Sequence, residues 1–414
     1  MALSLNNYPP WITPVVNWNL IQLITGLTAT FTPARSPLRP VAAALTAFLA
    51  YLLQRNIQIY YSGTRPSGPV VAMCWVNVLN AIDLLVLTQA SYDAQIAHTK
   101  AKDEKKDKPT KTKQEDESLA RKIIFALILP YNLRRINTPW QISRVPRFDE
   151  QNPAYVPKRS SFLLQSLFKL AIAGAFIALL PLDPENPLLS RAVNNLDQSP
   201  SVLLFRNYDA YSILLQAGFT LSFGVVTRAS IVSGYTVGAF FVVFLGGDPA
   251  EWPPVAGSLS EAWSLERLWG RSWHQTLRRP LTSNATFLSS TLGLSPTSLP
   301  THWIRVVIAF LGSGLVHALM DIGFGVQWEK TGALWFFGLQ ILGFAVEGVL
   351  KTLLTPVADG LGIGKGVRRV IGYTWVAGFL LWSTPVWINP ILVSLSNDGT
   401  NVMSPWLGGP PGWY

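Results

Sequence analysis

Apolar residues run along this chain in long blocks, not in the alternating or 3.6-period stripes of a water-soluble domain. A helix crossing about 30 Å of hydrocarbon needs roughly 20 mostly apolar residues. Eight blocks are read as full spans: 15–31, which carries Asn17, Asn19 and Gln22; 40–54, short but clean; 68–90, with Asp83 inside; 161–182, with Lys169 near its middle; 209–230; 303–325; 332–355; and 370–395. A further block, 231–247 (IVSGYTVGAFFVVFLGG), is apolar but short and Gly-rich.

The loops between these blocks set an orientation. Lys and Arg concentrate on the cytosolic side of membrane proteins. The loop 91–160 is strongly basic and is assigned to the cytosol, with Arg35 and Arg39 two crossings earlier on the same side. The loop 183–208, with Arg191 and Arg206 alone, falls on the far side, and 356–369, with Lys365, Arg368 and Arg369, returns to the cytosol. That assignment holds only if 231–247 does not make its own crossing. It is therefore read as re-entrant or broken, with an internal cavity nearby, because non-helical backbone at membrane depth survives only where protein or water covers it. The fold class expected is all-α and polytopic. N-terminal transmembrane helices occupy 1–90, a charged cytosolic loop with an interfacial segment 91–160, and a functional core 161–414.

Composition narrows this further. The 414 residues hold 33 Lys+Arg and 23 Asp+Glu, 14% charged with net charge +10, 49% hydrophobic types and 16 Trp. Soluble domains carry nearer one charge in four residues. Of these charges, 24 fall in 91–160. An ordinary soluble enzyme and a disordered protein are both excluded. The segment 99–118 mixes both signs and reads as a solvated linker. With acids among the bases and no aromatic residue, it gives no reason to expect nucleic acid. Residues 119–148 alternate apolar Ile123–Leu129 and Tyr131 and Trp140 with Arg134, Arg135, Arg144 and Arg147, as suits a segment on an anionic leaflet. Met1–Trp11 lacks a positive charge and contains Pro9 and Pro10, unlike a cleavable signal, and the Pro/Gly-rich tail from Met403 is read as interfacial. The lone Cys74 excludes an intramolecular disulfide and a cysteine metal cluster.

Candidate chemistry centres on two of four histidines. His98 is read as solvated and His302 as interfacial. His317 lies mid-span among Gly312, Gly314, Gly323 and Gly325. An ionisable group at that depth marks a functional site, and a neutral imidazole can take a proton from an alcohol. Asp321, one turn on, shares its face and either orients the ring or is answered by Trp or backbone donors. His274 sits in SLERLWGRSWHQTLRRP (264–280), where Trp263, Trp269 and Trp273 mix with Glu266, Arg267, Arg271, Arg278 and Arg279. A belt helix at the headgroups is the plain reading of such a segment; the concentration of polar groups around His274 and Gln275 favours a site. His274 and His317 are too far apart in sequence for tight metal-ligand spacing, and no metal is expected.

WGRSWHQ (269–275), followed about 40 residues later by the intramembrane His of SGLVHAL (313–319), resembles the membrane-bound O-acyltransferase superfamily, and within it the fungal wax-synthase-like branch. FFGLQILGFAVEGVL (336–350), with Gln340 and Glu347, is similar to that branch as well, so the resemblance covers roughly 240–390. It implies acyl transfer from an acyl-CoA co-substrate to a hydrophobic alcohol, within a chamber enclosed by the C-terminal spans and the Trp/Arg-rich segment. His317 would be the general base, and His274, Gln275 or the Trp273 N–H the donor to the oxyanion. In the wider superfamily the His274 position is often Asn, so positioning and proton transfer both stay open there. Arg267, Arg271, Arg278 and Arg279 would hold the CoA phosphates. The branch implies acetyl transfer to a terpenoid or related alcohol, with long-chain wax- or sterol-ester formation second, in the endoplasmic-reticulum membrane. A transporter using Asp83, Lys169, Arg228, Asp321, Glu347 and Lys351, and a non-catalytic scaffold, are the readings from other classes.

Overall fold

The computed structural model describes residues 12–62, 64, 66–104, 118–179 and 210–397. The N-terminal segment Met1–Trp11, most of the solvated linker, the loop 183–208 and the C-terminal tail read above lie outside the described residues. The helices are α1 (Ile12–Phe31), α2 (Leu38–Tyr60), α3 (Ser67–Ile82), α4 (Tyr92–Glu104), α5 (Leu119–Ile128), α6 (Arg159–Leu179), α7 (Ala210–Phe244), α8 (Arg278–Thr291), α9 (Leu299–Gly323), α10 (Ala333–Gly360), α11 (Lys365–Ser383) and α12 (Pro385–Asn397). The all-helical class expected from the apolar blocks is what the described residues adopt.

Among those residues, four helices are long and apolar enough to cross a membrane: α3 with the turn after it (Ser67–Leu87), Gln216–Phe244 of α7, α9, and α10 with the turn before it (Trp328–Gly360). A fifth arises if α11 and α12, bent by 45° at Thr384, form one broken span. Of the eight expected spans, four pass on length and apolarity among the described residues, or five if the bent pair is one span. The other expected blocks are helical, but polar residues dilute them: Asn17, Asn19 and Gln22 in α1, Gln54, Arg55 and Asn56 in α2, Arg159 and Lys169 in α6.

A second correction concerns 231–247. It is neither re-entrant nor broken; it continues 209–230 as the single 35-residue helix α7. Glycines at 224, 234 and 238 lower helix propensity without removing an N–H, and no proline interrupts the run. The helix qualifies as one span, not two, on length and apolarity.

The outward faces are apolar: Leu164, Leu214, Leu221 and Leu353 are exposed, while Asn17, Asn77, Asn80, Gln340 and Asn389 are buried. This inversion of the soluble pattern fits helices solvated by lipid. The chain is an integral membrane protein.

The chain divides into two compact units. One is built from within residues 1–62, 67–143 and 276–312, the other from within 63–66, 144–275 and 313–414. In the first, α1 packs on α5 so closely that a Cβ at Gly26 would strike the Ala126 carbonyl. The buried Arg39 gathers α1, α2 and the turn after α3 by donating to the carbonyls of Ala29 (3.0 Å), Thr32 (2.9 Å) and Ala90 (2.9 Å). Asp83, at the π turn that ends α3, takes the fully buried Arg135 at 3.0 Å, and Arg279 of α8 stands 3.4 Å from the same oxygen. Burial pushes the Arg135 guanidinium down to about 10 against the pull of Asp83.

In the second unit α6 packs along α7, with Phe162, Ala239 and Val243 at its core and Phe148 and Trp252 against them. α10 buries Phe336, Phe337, Gln340, Gly343 and Glu347, a stripe of helical period that carries two polar groups. Those two groups are what hold the site.

Candidate active site

His317 is carried by α9. Its Nδ1 lies 2.7 Å from the Ser313 carbonyl one turn back. A carbonyl only accepts, so Nδ1 carries the proton and, in the neutral ring, Nε2 carries the lone pair. Phe337 packs on the imidazole at 4.8 Å between ring centres and Trp387 meets it edge-on at 4.9 Å. Asp321 is fully buried on the same helix. Its carboxylate accepts from the Trp387 indole N–H at 3.0 Å and from the Thr331 hydroxyl. Of the two readings of Asp321, the donors found are Trp387 and Thr331.

The segment 252–275 has little regular structure, and three anchors shape it. First, α10 presents Gln340 and Glu347 two turns apart on one face. Gln340 accepts from the Trp269 indole N–H at 3.1 Å, and Glu347 accepts from the Leu265 backbone N–H at 2.7 Å and from Trp375 at 3.1 Å. Second, Arg228 of α7 forks across two carbonyls, Ser272 at 2.6 Å and Gly257 at 2.7 Å. Third, His274 bridges to Ala256 as an isolated antiparallel pair, and Gln275 N–H donates to Val255 at 3.0 Å. Gly257 is required here, because a Cβ would collide with the Arg271 carbonyl. Between the anchors the chain makes a π turn, Leu268–Ser272, in place of the amphipathic helix that the Trp/Arg pattern suggests.

His274 lies within this clamp. Its Nδ1 is buried without a protein partner. Burial, then the nearby His317 and Arg228, push its imidazole down to about 3, so it is neutral at physiological pH. Gln275 is buried, with its amide N–H donated to the Arg144 carbonyl at 2.9 Å. Trp273 lies tilted to His274 (5.8 Å) and edge-on to Trp269 (5.7 Å), and Trp269 reaches Phe336 (6.3 Å) and Phe337 (6.2 Å). An aromatic layer thus runs from His274 to the ring that covers His317.

The four arginines divide between the two units. Arg267 pairs with Glu261 and lies 4.4 Å over the Trp263 ring; Arg271 reaches Glu261 at 3.5 Å. Burial and the neighbouring Arg271 and Arg369 push Arg267 below the usual guanidinium range. Arg278 and Arg279 begin α8 in the other unit, where Arg279 is drawn to Asp83. Sequence reasoning assigned Arg369 only to loop orientation and Arg228 only to the intramembrane charges. The signal for Arg228 was available: an arginine mid-helix in an apolar run needs acceptors.

A model of the membrane bound O-acyl transferase family matches residues 252–339, the stretch that carries both histidines. The chain is 25% identical to acetyltransferase aurG of Calcarisporium arbuscula, over 91% of this chain and 93% of the relative. It is 27% identical to acetyltransferase fsoF of Humicola fuscoatra, over 69% and 71%, and 26% identical to acetyltransferase atnC of an Arthrinium species, over 94% and 90%. Clamped segment and both imidazoles fall within the matched stretch, and with the likeness to these acetyltransferases they support reading the chain as an O-acyltransferase similar to the membrane bound O-acyl transferase family.

Proposed function

We propose that the protein transfers an acetyl group from acetyl-CoA to the hydroxyl of a hydrophobic, terpenoid-like alcohol, with His317 as general base. The observation that carries this reading is the hydrogen bond from His317 Nδ1 to the Ser313 carbonyl, which leaves Nε2 as the proton acceptor. As Nε2 takes the hydroxyl proton, the alcohol oxygen attacks the thioester carbonyl. The tetrahedral oxyanion collapses, the C–S bond breaks, and the proton passes from His317 to the departing CoA sulfur. No covalent enzyme intermediate is needed.

His274 is the donor to the oxyanion, since its Nδ1 is uncommitted and its ring is neutral. Such a donor is worth roughly 3 kcal/mol. Gln275 already spends one N–H on Arg144. The phosphates of CoA meet Arg267, Arg271 and the adjacent Arg369 on the cytosolic side, in a chamber that excludes water from the thioester. Phe336, Phe337 and Trp387 crowd the base, which supports a short acyl group over a fatty chain. The membrane is that of the endoplasmic reticulum. Three of the charges that a transporter would employ are tied into the site instead: Asp321 to Trp387, Glu347 to Leu265 and Trp375, Arg228 to two carbonyls.

Microsomes holding the protein, given labelled acetyl-CoA or palmitoyl-CoA with a panel of terpenoid and fatty alcohols, test the reading. Acetyl esters should form at least tenfold faster than palmitoyl esters, and His317→Ala should abolish both. Undiminished turnover by that variant removes the base assignment; uptake into sealed vesicles without acyl-CoA would support transport.

A further inference from the structure

α7 carries a feature that acyl transfer itself leaves unused. Gln216, Thr220 and Phe223 follow at i, i+4 and i+7 and so lie along one face. Phe223 fixes where that face looks, because its ring meets Trp387 at 5.2 Å and 83°, and Trp387 lies against His317. On this face both amide atoms of Gln216 and the Thr220 hydroxyl are buried without a protein partner. On α12, two residues beyond Trp387, both amide atoms of Asn389 are in the same state. Gln216 is 8% exposed and Asn389 2%.

Five unmatched polar atoms on two helices that meet at Phe223 and Trp387 need an explanation. Buried amides nearly always find a partner, and each unmade bond costs about 1–3 kcal/mol. Local backbone does not answer them: Thr236, on the same helix, returns its hydroxyl to the Val232 carbonyl at 2.7 Å, whereas Thr220 makes no such bond. Measured along α7, Thr220 lies about 4.5 Å and Gln216 about 10.5 Å from the level of Phe223. Taken along the helix axis, those levels span about the length of a multi-ring molecule.

We propose that Gln216, Thr220 and Asn389 bind a second oxygen function of the acceptor. The preferred acceptor is then a rigid, polyoxygenated alcohol rather than a mono-ol. The inference rests on the acyltransferase reading of the site. Amides and a hydroxyl are neutral and offer both donors and acceptors, so they match a hydroxyl or ketone rather than a carboxylate or an ammonium. A site built to hydrogen-bond a group discriminates strongly against the analogue that lacks it, which an apolar pocket does not do.

The test is a tryptophan-fluorescence titration of the detergent-purified full chain with three probes: a saturated steroid mono-ol, the diol with its second hydroxyl on the far ring, and the matching hydroxy-ketone. The diol and hydroxy-ketone should bind at least tenfold more tightly than the mono-ol. The double variant Gln216→Leu/Asn389→Leu should erase that preference, leave mono-ol binding within twofold, and keep or raise the Tm of the free protein. Equal or absent binding of the three probes overturns the proposal, as does a lower Tm in the variant with selectivity unchanged. His317→Ala, run alongside, should lose transfer and keep the binding preference. Transfer retained there sinks the base assignment and leaves this inference standing.

Discussion

Trp387 donates its indole N–H to the buried carboxylate of Asp321 at 3.0 Å. The same indole stands edge-on to His317, so the carboxylate sets the ring's neighbour rather than the ring. Asp321→Asn should keep the fold and lower kcat about 10- to 100-fold with both KM values nearly unchanged, since small misplacements of a base cost that much. Steady-state kinetics beside a Tm measurement separate placement from stability. An unaltered kcat would detach Asp321 from the chemistry.

Arg228 holds the backbone on which His274 is mounted, by bonds of 2.6 and 2.7 Å to Ser272 and Gly257. Lysine is a point donor and lacks the fork. Arg228→Lys should therefore lose activity almost as far as Arg228→Ala, roughly 30-fold or more. Millimolar guanidinium should restore part of the alanine variant's kcat. Full activity in the lysine variant would show that the fork is dispensable.

His274 makes stability depend on pH. Its folded value of about 3 lies below the ordinary 6.5, so the unfolded chain binds the extra proton. The contribution is complete above 6.5 and is lost as pH falls toward 3, by up to about 1.4 kcal/mol per pH unit. Thermal unfolding in detergent between pH 7 and pH 5 should show this slope, and His274→Asn should flatten it. An identical slope in the variant would assign the effect elsewhere.

Arg271 is half-exposed beside Arg267 and Arg369, whereas Arg279 is drawn to buried Asp83. Arg271→Gln with Arg369→Gln should raise KM for acyl-CoA about tenfold and spare KM for the alcohol. Arg279→Gln should chiefly lower Tm. A pure kcat loss in the first pair would count against phosphate contact.

Much of this was legible from one-dimensional information. Long apolar blocks become helices in any tertiary context, because backbone polar groups in lipid must pair within their own segment. His317 could be singled out because an imidazole inside such a block is costly, and WGRSWHQ because polar and aromatic types crowd there. The break expected at 231 failed for a related reason: glycine weakens a helix in water, but within an apolar run nothing competes for the freed N–H groups.

What sequence alone could not decide is who answers whom. Asp321 had several conceivable donors, and only packing brought Trp387, 66 residues away, to its carboxylate. Gln340 and Glu347 are polar positions on a helix until Trp269 and Leu265 meet them. The arginines near His274 look like one cluster along the chain, yet they divide between two units. Hydropathy is a property of each residue and survives without a fold; a hydrogen bond or an ion pair belongs to two residues, and only the folded chain says which two.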